Sequence, residues 1–206
     1  MSHIFNLFPE IVYANKLNLN LNSLLKFVEK IDFIKSGNKN FNVEKKSLAS
    51  VNKNIFNYNK EFKKLKKEIM KEFNIFKNDY LKYHNVSFNI TTSWLTFSKP
   101  NEYSDLHCHK NCYYSGIFYI QTFENCGDLV IENIGRKGSY LFTPTEYNIL
   151  NSDVARIKPS NNMIIFFPSY LYHKIDTNKS LGNRISLAFN IIPFGKYGIK
   201  GDSSVI

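Results

Sequence analysis

The chain has five histidines, and three of them stand where they could do chemistry. His107 and His109 flank Cys108 between two strand-like runs, residues 86–98 and 113–122. On a strand, positions i and i+2 point to the same face, so an extended segment here projects His107 and His109 side by side and turns Cys108 away. His173 lies far downstream, directly after the apolar run 163–171. Two imidazoles from one strand and a third from a distant strand end form a three-nitrogen metal site. His3, near the N-terminus, and His84, in a polar connection, have no such company.

A second group of residues suits an anion. Arg184 sits inside an otherwise apolar strand with Ser186 at i+2 on the same face. A guanidinium fork plus a hydroxyl can hold a carboxylate through charge-assisted hydrogen bonds. Without such a ligand, an arginine among Ile185, Leu187, Ala188 and Phe189 requires a buried acidic partner. Tyr119 shares strand parity with Ser115 and Ile117 and is placed to offer its hydroxyl to the same ligand. Glu102 and Asp105 compete with His109 as a source of the third metal ligand, and Asp105 has the same parity as both histidines. A zinc site built from Cys108 and Cys112 with the interleaved histidines lacks a second cysteine pair, since Cys126 stands alone.

The elements that must position these groups fall into two halves. Residues 4–13 read as a short edge strand containing Pro9. A helix is expected from Asn22-Ser23 to about residue 34, broken by the Ser36-Gly37-Asn38-Lys39-Asn40 cluster. Residues 41–58 carry no clear signal. Over 59–81, Phe62, Leu65, Ile69, Phe73 and Phe76 recur at helical spacing opposite a row of lysines, which is an amphipathic helix. From residue 86 the pattern turns to β: strands at 86–98, 107–110, 113–122, 127–132, 163–167 and 184–191. A loop at 99–102, a turn at 135–138 and a less regular excursion over 139–157 separate them. Helices first and short strands afterwards predict one α+β domain over 1–206, a helical layer (1–85) packed on a β sandwich or barrel (86–206).

With those pieces in order, the chain resembles the 2-oxoglutarate and iron(II)-dependent dioxygenases, and more closely a bacterial and phage branch of them. The resemblance is carried by Ile4-Phe5-Asn6-Leu7-Phe8-Pro9, Ser93-Trp94, His107-x-His109, Ser115-Gly116-Ile117-Phe118-Tyr119 and Gly127-x-Leu129-x-Ile131. It continues through Phe166-Phe167-Pro168-Ser169, His173 and Arg184-Ile185-Ser186-Leu187-Ala188-Phe189-Asn190. It implies a double-stranded β-helix, a cupin-like jelly roll, holding iron(II) and using 2-oxoglutarate and dioxygen. His107, His109 and His173 would match the metal ligands, and Arg184 with Ser186 the grip on the distal carboxylate of 2-oxoglutarate, with Tyr119 beside them. The superfamily's usual His-x-Asp/Glu pair is here His107-x-His109. A three-histidine protein that does not use 2-oxoglutarate, and a non-catalytic interaction domain, are the competing readings.

Composition bounds the rest. A hydrophobic fraction of 43% over 206 residues supports a sizeable core. Three cysteines, an odd number, argue against a disulfide framework and for a reducing, cytoplasmic setting. Neither a membrane span nor a secretory leader is expected. The net charge of +10 is concentrated on the lysine face of the 59–81 helix. The chain has neither arginine clusters nor a nucleic-acid module, so a solvated helix face explains that charge better than a nucleic-acid partner. Nothing in the chain names the primary substrate or points to an oligomeric state.

Overall fold

A computed structural model describes residues 3–4, 7–36, 45–135, 143–199 and 202–205, with backbone only for 197–199 and 202–205. Its centre is an antiparallel sheet of seven strands. The strands of both sheets and of a terminal hairpin are, in chain order, β1 (Tyr13–Lys16), β2 (Phe33–Lys35), β3 (Leu48–Ser50), β4 (Ser87–Ser98), β5 (Ser104–His107), β6 (Tyr114–Gln121) and β7 (Leu129–Glu132). They continue with β8 (Val154–Ile157), β9 (Met163–Pro168), β10 (Tyr172–Ile175), β11 (Arg184–Phe194), β12 (Lys196–Ile199) and β13 (Asp202–Val205). The large sheet runs β1-β9-β6-β11-β4-β3-β2 and the smaller one β5-β10-β7-β8, while β12 and β13 form a hairpin. The two main sheets pack face to face through Ile117, Tyr119, Ile165 and Phe167 on one side and Leu129, Ile131 and Leu171 on the other. This is the expected jelly-roll sandwich.

Helices α1 (Asn22–Val28) and α2 (Lys60–Ile75) cover the other face of the large sheet. Asn59 starts α2 by accepting, at its side-chain oxygen, the N–H groups of Glu61 and Phe62 at 2.9 and 3.0 Å, which satisfies two otherwise orphaned donors. The stripe Phe62, Leu65, Ile69 and Phe73 is buried, as its spacing predicts. Phe73 packs edge-on against Phe88, Tyr114 and Phe166, with ring centroids 5.2–5.6 Å apart. Buried Glu72 accepts from the Tyr13 hydroxyl and, at 2.6 Å, from the Asn15 amide, tying edge strand β1 to the helix.

Several expectations need correction. The first helix ends at Val28, and its supposed last turn is β2, because β3 offers Phe33–Lys35 backbone partners that outweigh helix periodicity. Strands β1, β2 and β3 therefore extend the sheet into what reads as a helical layer. The expected edge strand over 4–13 begins only at Tyr13, where pairing to Phe166 starts. The last turn of the long helix, Phe76–Tyr80, is π rather than α. The irregular excursion contains β8, paired to β7. Positions 5–6 of the opening segment, 37–40 of the helix-breaking cluster, 136–138 of the expected turn and 139–142 of the excursion lie outside the described residues.

Gly116 of β6 answers to packing. A Cβ there would lie 2.3 Å from the Phe189 ring, so the glycine lets the helix-side core close over the sheet. Truncating the aromatic hub, Phe73→Ala, should lower unfolding free energy by about 3–5 kcal/mol. Urea unfolding followed by far-UV circular dichroism would show it as a lower midpoint.

Candidate metal centre and anion pocket

The smaller sheet sets two of the three imidazoles. Strand β10 lies between β5 and β7, and in its register His173 stands opposite both His107 and Ile131. The His107 and His173 ring centroids are 4.4 Å apart. His109 arrives differently from the strand-parity expectation. Strand β5 ends at His107, and His109 lies in the following loop, its backbone N–H donating to the Ser169 carbonyl at 2.9 Å. That anchor brings its ring centroid to 5.3 Å from His107 and 5.2 Å from His173. One nitrogen from each ring falls within 4.8 Å of the others, and among the described residues this is the only such cluster of histidine, cysteine or acidic side chains.

Each imidazole is oriented through its Nδ1. His107 Nδ1 donates to the Asp105 carbonyl at 2.7 Å and His173 Nδ1 to the Leu171 carbonyl at 2.9 Å. His109 Nδ1 lies 2.7 Å from the Asn190 side-chain oxygen and 2.9 Å from Ser115 Oγ. An acceptor on Nδ1 places the proton there and leaves Nε2 as a lone pair, the arrangement that metal-binding histidines use. Burial pushes His173 down to about 3 and also lowers His109, so both are neutral and ligand-competent at ordinary pH. The competing carboxylates are engaged elsewhere. Asp105 pairs with Lys46, and Glu102 pairs with Lys35 at 2.5 Å. Cys108, Cys112 and Cys126 are free thiols outside the cluster.

Strand β11 carries the anion pocket. It is paired on both sides, to β4 and β6, and its alternate residues Arg184, Ser186, Ala188 and Asn190 face the sandwich interior. Ser186 pairs with Thr96 on one side and Tyr119 on the other. Arg184 is fully buried, and only its Nη1 has partners, the Cys126 and Gly127 carbonyls at 3.3 and 3.5 Å. Its Nε and Nη2 and the Tyr119 hydroxyl are buried without hydrogen-bond partners. A guanidinium keeps its charge in proteins, and a buried cation facing an unsatisfied phenol is costly unless an anion completes the group. The orphaned donors of Arg184 and Tyr119 therefore fit a carboxylate, as the lone pairs of the three histidines fit a divalent metal. A 120 Å³ cavity is lined by all three histidines together with Trp94, Ser186 and Ala188.

A larger cavity of 720 Å³ is walled by Ile131, Tyr147, Ile149, Tyr170, Leu171 and Tyr172. Ile131 and Leu171 border His173 directly. Residues of the excursion after β7, among them Tyr147 and Ile149, contribute to this wall. The 99–104 loop does not, since Glu102 is buried and ties it to Lys35 and the Lys99 N–H. Sequence reading assigned no role to Asn190, although its two-residue spacing after Ala188 marks it as interior.

The match to known families decides what this arrangement belongs to. Residues 92–190, from β4 through most of β11, match the family model described as "Putative 2OG-Fe(II) oxygenase". That match, together with the fold, supports the 2-oxoglutarate–iron(II) oxygenase superfamily for this segment of the chain. Oxygenases of this kind use iron(II), 2-oxoglutarate and dioxygen. Similar folds include HygX from Streptomyces hygroscopicus, solved with nickel, 2-oxoglutarate and hygromycin B (9% identity, TM-score 0.61, covering 89% of this chain and 83% of that one). A Pseudomonas putida prolyl-4-hydroxylase is comparable (11% identity, TM-score 0.58, 88% and 92% covered). So is the viral collagen prolyl hydroxylase of Paramecium Bursaria Chlorella virus-1 in its 2-oxoglutarate complex (14%, 0.51, 87% and 94%). No curated protein matches by sequence.

The oxygenase has one tryptophan, and its ring centroid lies 5.6 Å from that of His109. Titration with cobalt(II) under nitrogen should quench Trp94 fluorescence to saturation at one equivalent. His173→Ala should weaken the binding by more than the roughly 10–100-fold typical of losing an outer-shell partner.

Proposed function

We propose that His107, His109 and His173 hold iron(II), and that Arg184, Ser186 and Tyr119 hold the distal carboxylate of 2-oxoglutarate in a hydroxylase of a still unidentified substrate. The observation that carries this reading is the fully buried Arg184, whose Nε and Nη2 face no protein acceptor in company with the unpartnered Tyr119 hydroxyl. When bound, the iron, 2-oxoglutarate and dioxygen supply oxidative decarboxylation: one oxygen atom enters succinate as CO₂ leaves, and the other enters a substrate C–H bond as a hydroxyl.

The chain's own residues do the positioning. Arg184 neutralises the anion in a site of low dielectric, where a charge-assisted pair is strong. Ser186 adds a hydroxyl from the next interior position of the same strand. Burial pushes the Tyr119 phenol well above its ordinary range, so it stays protonated and donates. Ala188, small and half-exposed on the interior face, leaves room between the carboxylate grip and the histidines. Packing of the two sheets around the 120 Å³ cavity limits the water that reaches it. The larger cavity, walled by tyrosines and isoleucines and including Ile131, the register partner of His173, is where the primary substrate would sit. No helix among the described residues is long and apolar enough to cross a membrane, and the three free thiols support a cytoplasmic setting.

Anaerobic titration of the iron(II)-loaded protein with 2-oxoglutarate tests the proposal. A weak visible charge-transfer band should develop, and Arg184→Ala should raise the 2-oxoglutarate Kd by about 30-fold or more, as expected when a buried charged partner is removed. Iron affinity should stay unchanged in that variant. Iron binding without any band would instead favour a three-histidine protein that does not use 2-oxoglutarate, since the cluster contains no carboxylate.

A further inference from the structure

We infer that Asn190 is a positioning residue for the metal centre. Its amide oxygen fixes the tautomer and ring plane of His109, the imidazole that stands where the superfamily uses a carboxylate. The inference rests on the metal-site reading above.

The geometry is a chain of hydrogen bonds across the large sheet. Asn190 is the fourth interior residue of β11, and on β4 its register partner is Thr92, on β6 Ser115. Its Nδ2 donates to Thr92 Oγ1 at 3.0 Å, which turns Oδ1 toward His109 Nδ1 at 2.7 Å. Ser115 Oγ donates to the same Oδ1 at 3.2 Å and lies 2.9 Å from Ser169 Oγ. Ser169 in turn accepts the His109 backbone N–H through its carbonyl. The loop and the ring of His109 are thus held by the same four-residue network.

Chemistry makes the orientation matter. His107 and His173 use backbone carbonyls, which only accept, so their Nδ1 must carry the proton. A primary amide can present either an oxygen or an NH₂ group. If Asn190 presented its nitrogen, His109 Nδ1 would have to accept, the proton would move to Nε2, and the lone pair facing the other two histidines would be lost. The orientation present is the one in which Thr92 Oγ1 accepts from the NH₂ while Ser115 Oγ donates to Oδ1. An amide acceptor also leaves His109 a neutral ligand, whereas a carboxylate in its place would push electron density onto the ring.

Cobalt(II) binding to the full chain, followed by Trp94 quenching and by the d–d absorption bands, tests this in four variants. Asn190→Leu removes the amide acceptor at similar volume, leaving only the Ser115 hydroxyl at His109 Nδ1, and should raise the cobalt Kd about 10–100-fold. Asn190→Asp restores an acceptor and should keep at least wild-type affinity while shifting the d–d bands. Thr92→Val should weaken cobalt binding in the native background. In the Asn190→Asp background it should cost little, because both carboxylate oxygens accept and no orientation is left to choose. Thermal melts of the metal-free variants show which of them are folded, and only those are compared. Equal cobalt affinity and unchanged bands in Asn190→Leu overturn the inference while leaving the metal site intact. A loss in Asn190→Asp equal to that in Asn190→Leu also overturns it. Failure of the wild-type protein to bind cobalt, iron or nickel overturns the site reading itself, and the inference with it.

Discussion

The constraint on which this structure depends is the register of β11 between β4 and β6. Side chains alternate across a strand, so one face of β11 presents Ile185, Leu187, Phe189 and Ile191 to the helices, and the other presents Arg184, Ser186, Ala188 and Asn190 to the interior. A slip by a single residue would drive the arginine into the helix-side core and turn four apolar side chains into the cavity. The hydrophobic set thereby enforces the placement of the polar set. Stability and chemistry are coupled through pleating, without any direct contact between the two groups of side chains.

Much of this was legible before the fold was known. The parity of Arg184 and Ser186, the apolar stripe of α2 and the order of the later strands all follow from local periodicity. What escaped were features set by distant partners. Phe33–Lys35 continues a helical pattern yet pairs with β3, and Val154–Ile157 is a short strand defined only by β7. His109 looked like the strand mate of His107, but its position depends on Ser169, sixty residues away in sequence. Asn190 was visible as an interior residue. Its meaning required Thr92 and Ser115 on two neighbouring strands, which no local pattern encodes.

Electrostatically, the interior combines two neutral imidazoles, His109 and His173, with a buried guanidinium. Both neutral histidines, His109 and His173, are kept so by desolvation. Arg184 is the buried cation beside Tyr119 on the strand that also lines the histidine cavity through Ser186 and Ala188. A dicarboxylate suits this polarity, since one end meets the guanidinium and the other a divalent cation. The net charge of +10 plays no part in that match. Lysines of α2 sit on the opposite side of the large sheet and pair locally with Glu61 and Glu68.

Strand β5 has a consequence of its own. It is the edge of the smaller sheet, with β10 on one side only, and its pairing is limited to His107 with His173 and Ser104 with Ile175, interrupted by an irregularity. Beyond these, the Ile175 N–H donates to Ser104 Oγ at 2.9 Å, the Lys46–Tyr103 bridge precedes the strand, and the Lys46–Asp105 ion pair adds to them. Such a segment opens at a fraction of the free energy of global unfolding. Peeling β5 away carries His107 out of the cluster while β10, β11 and both apolar cores stay closed. On the metal-site reading proposed above, the residence time of a bound metal would follow the opening of this edge, and changes there would lengthen or shorten it while leaving the melting temperature where it was.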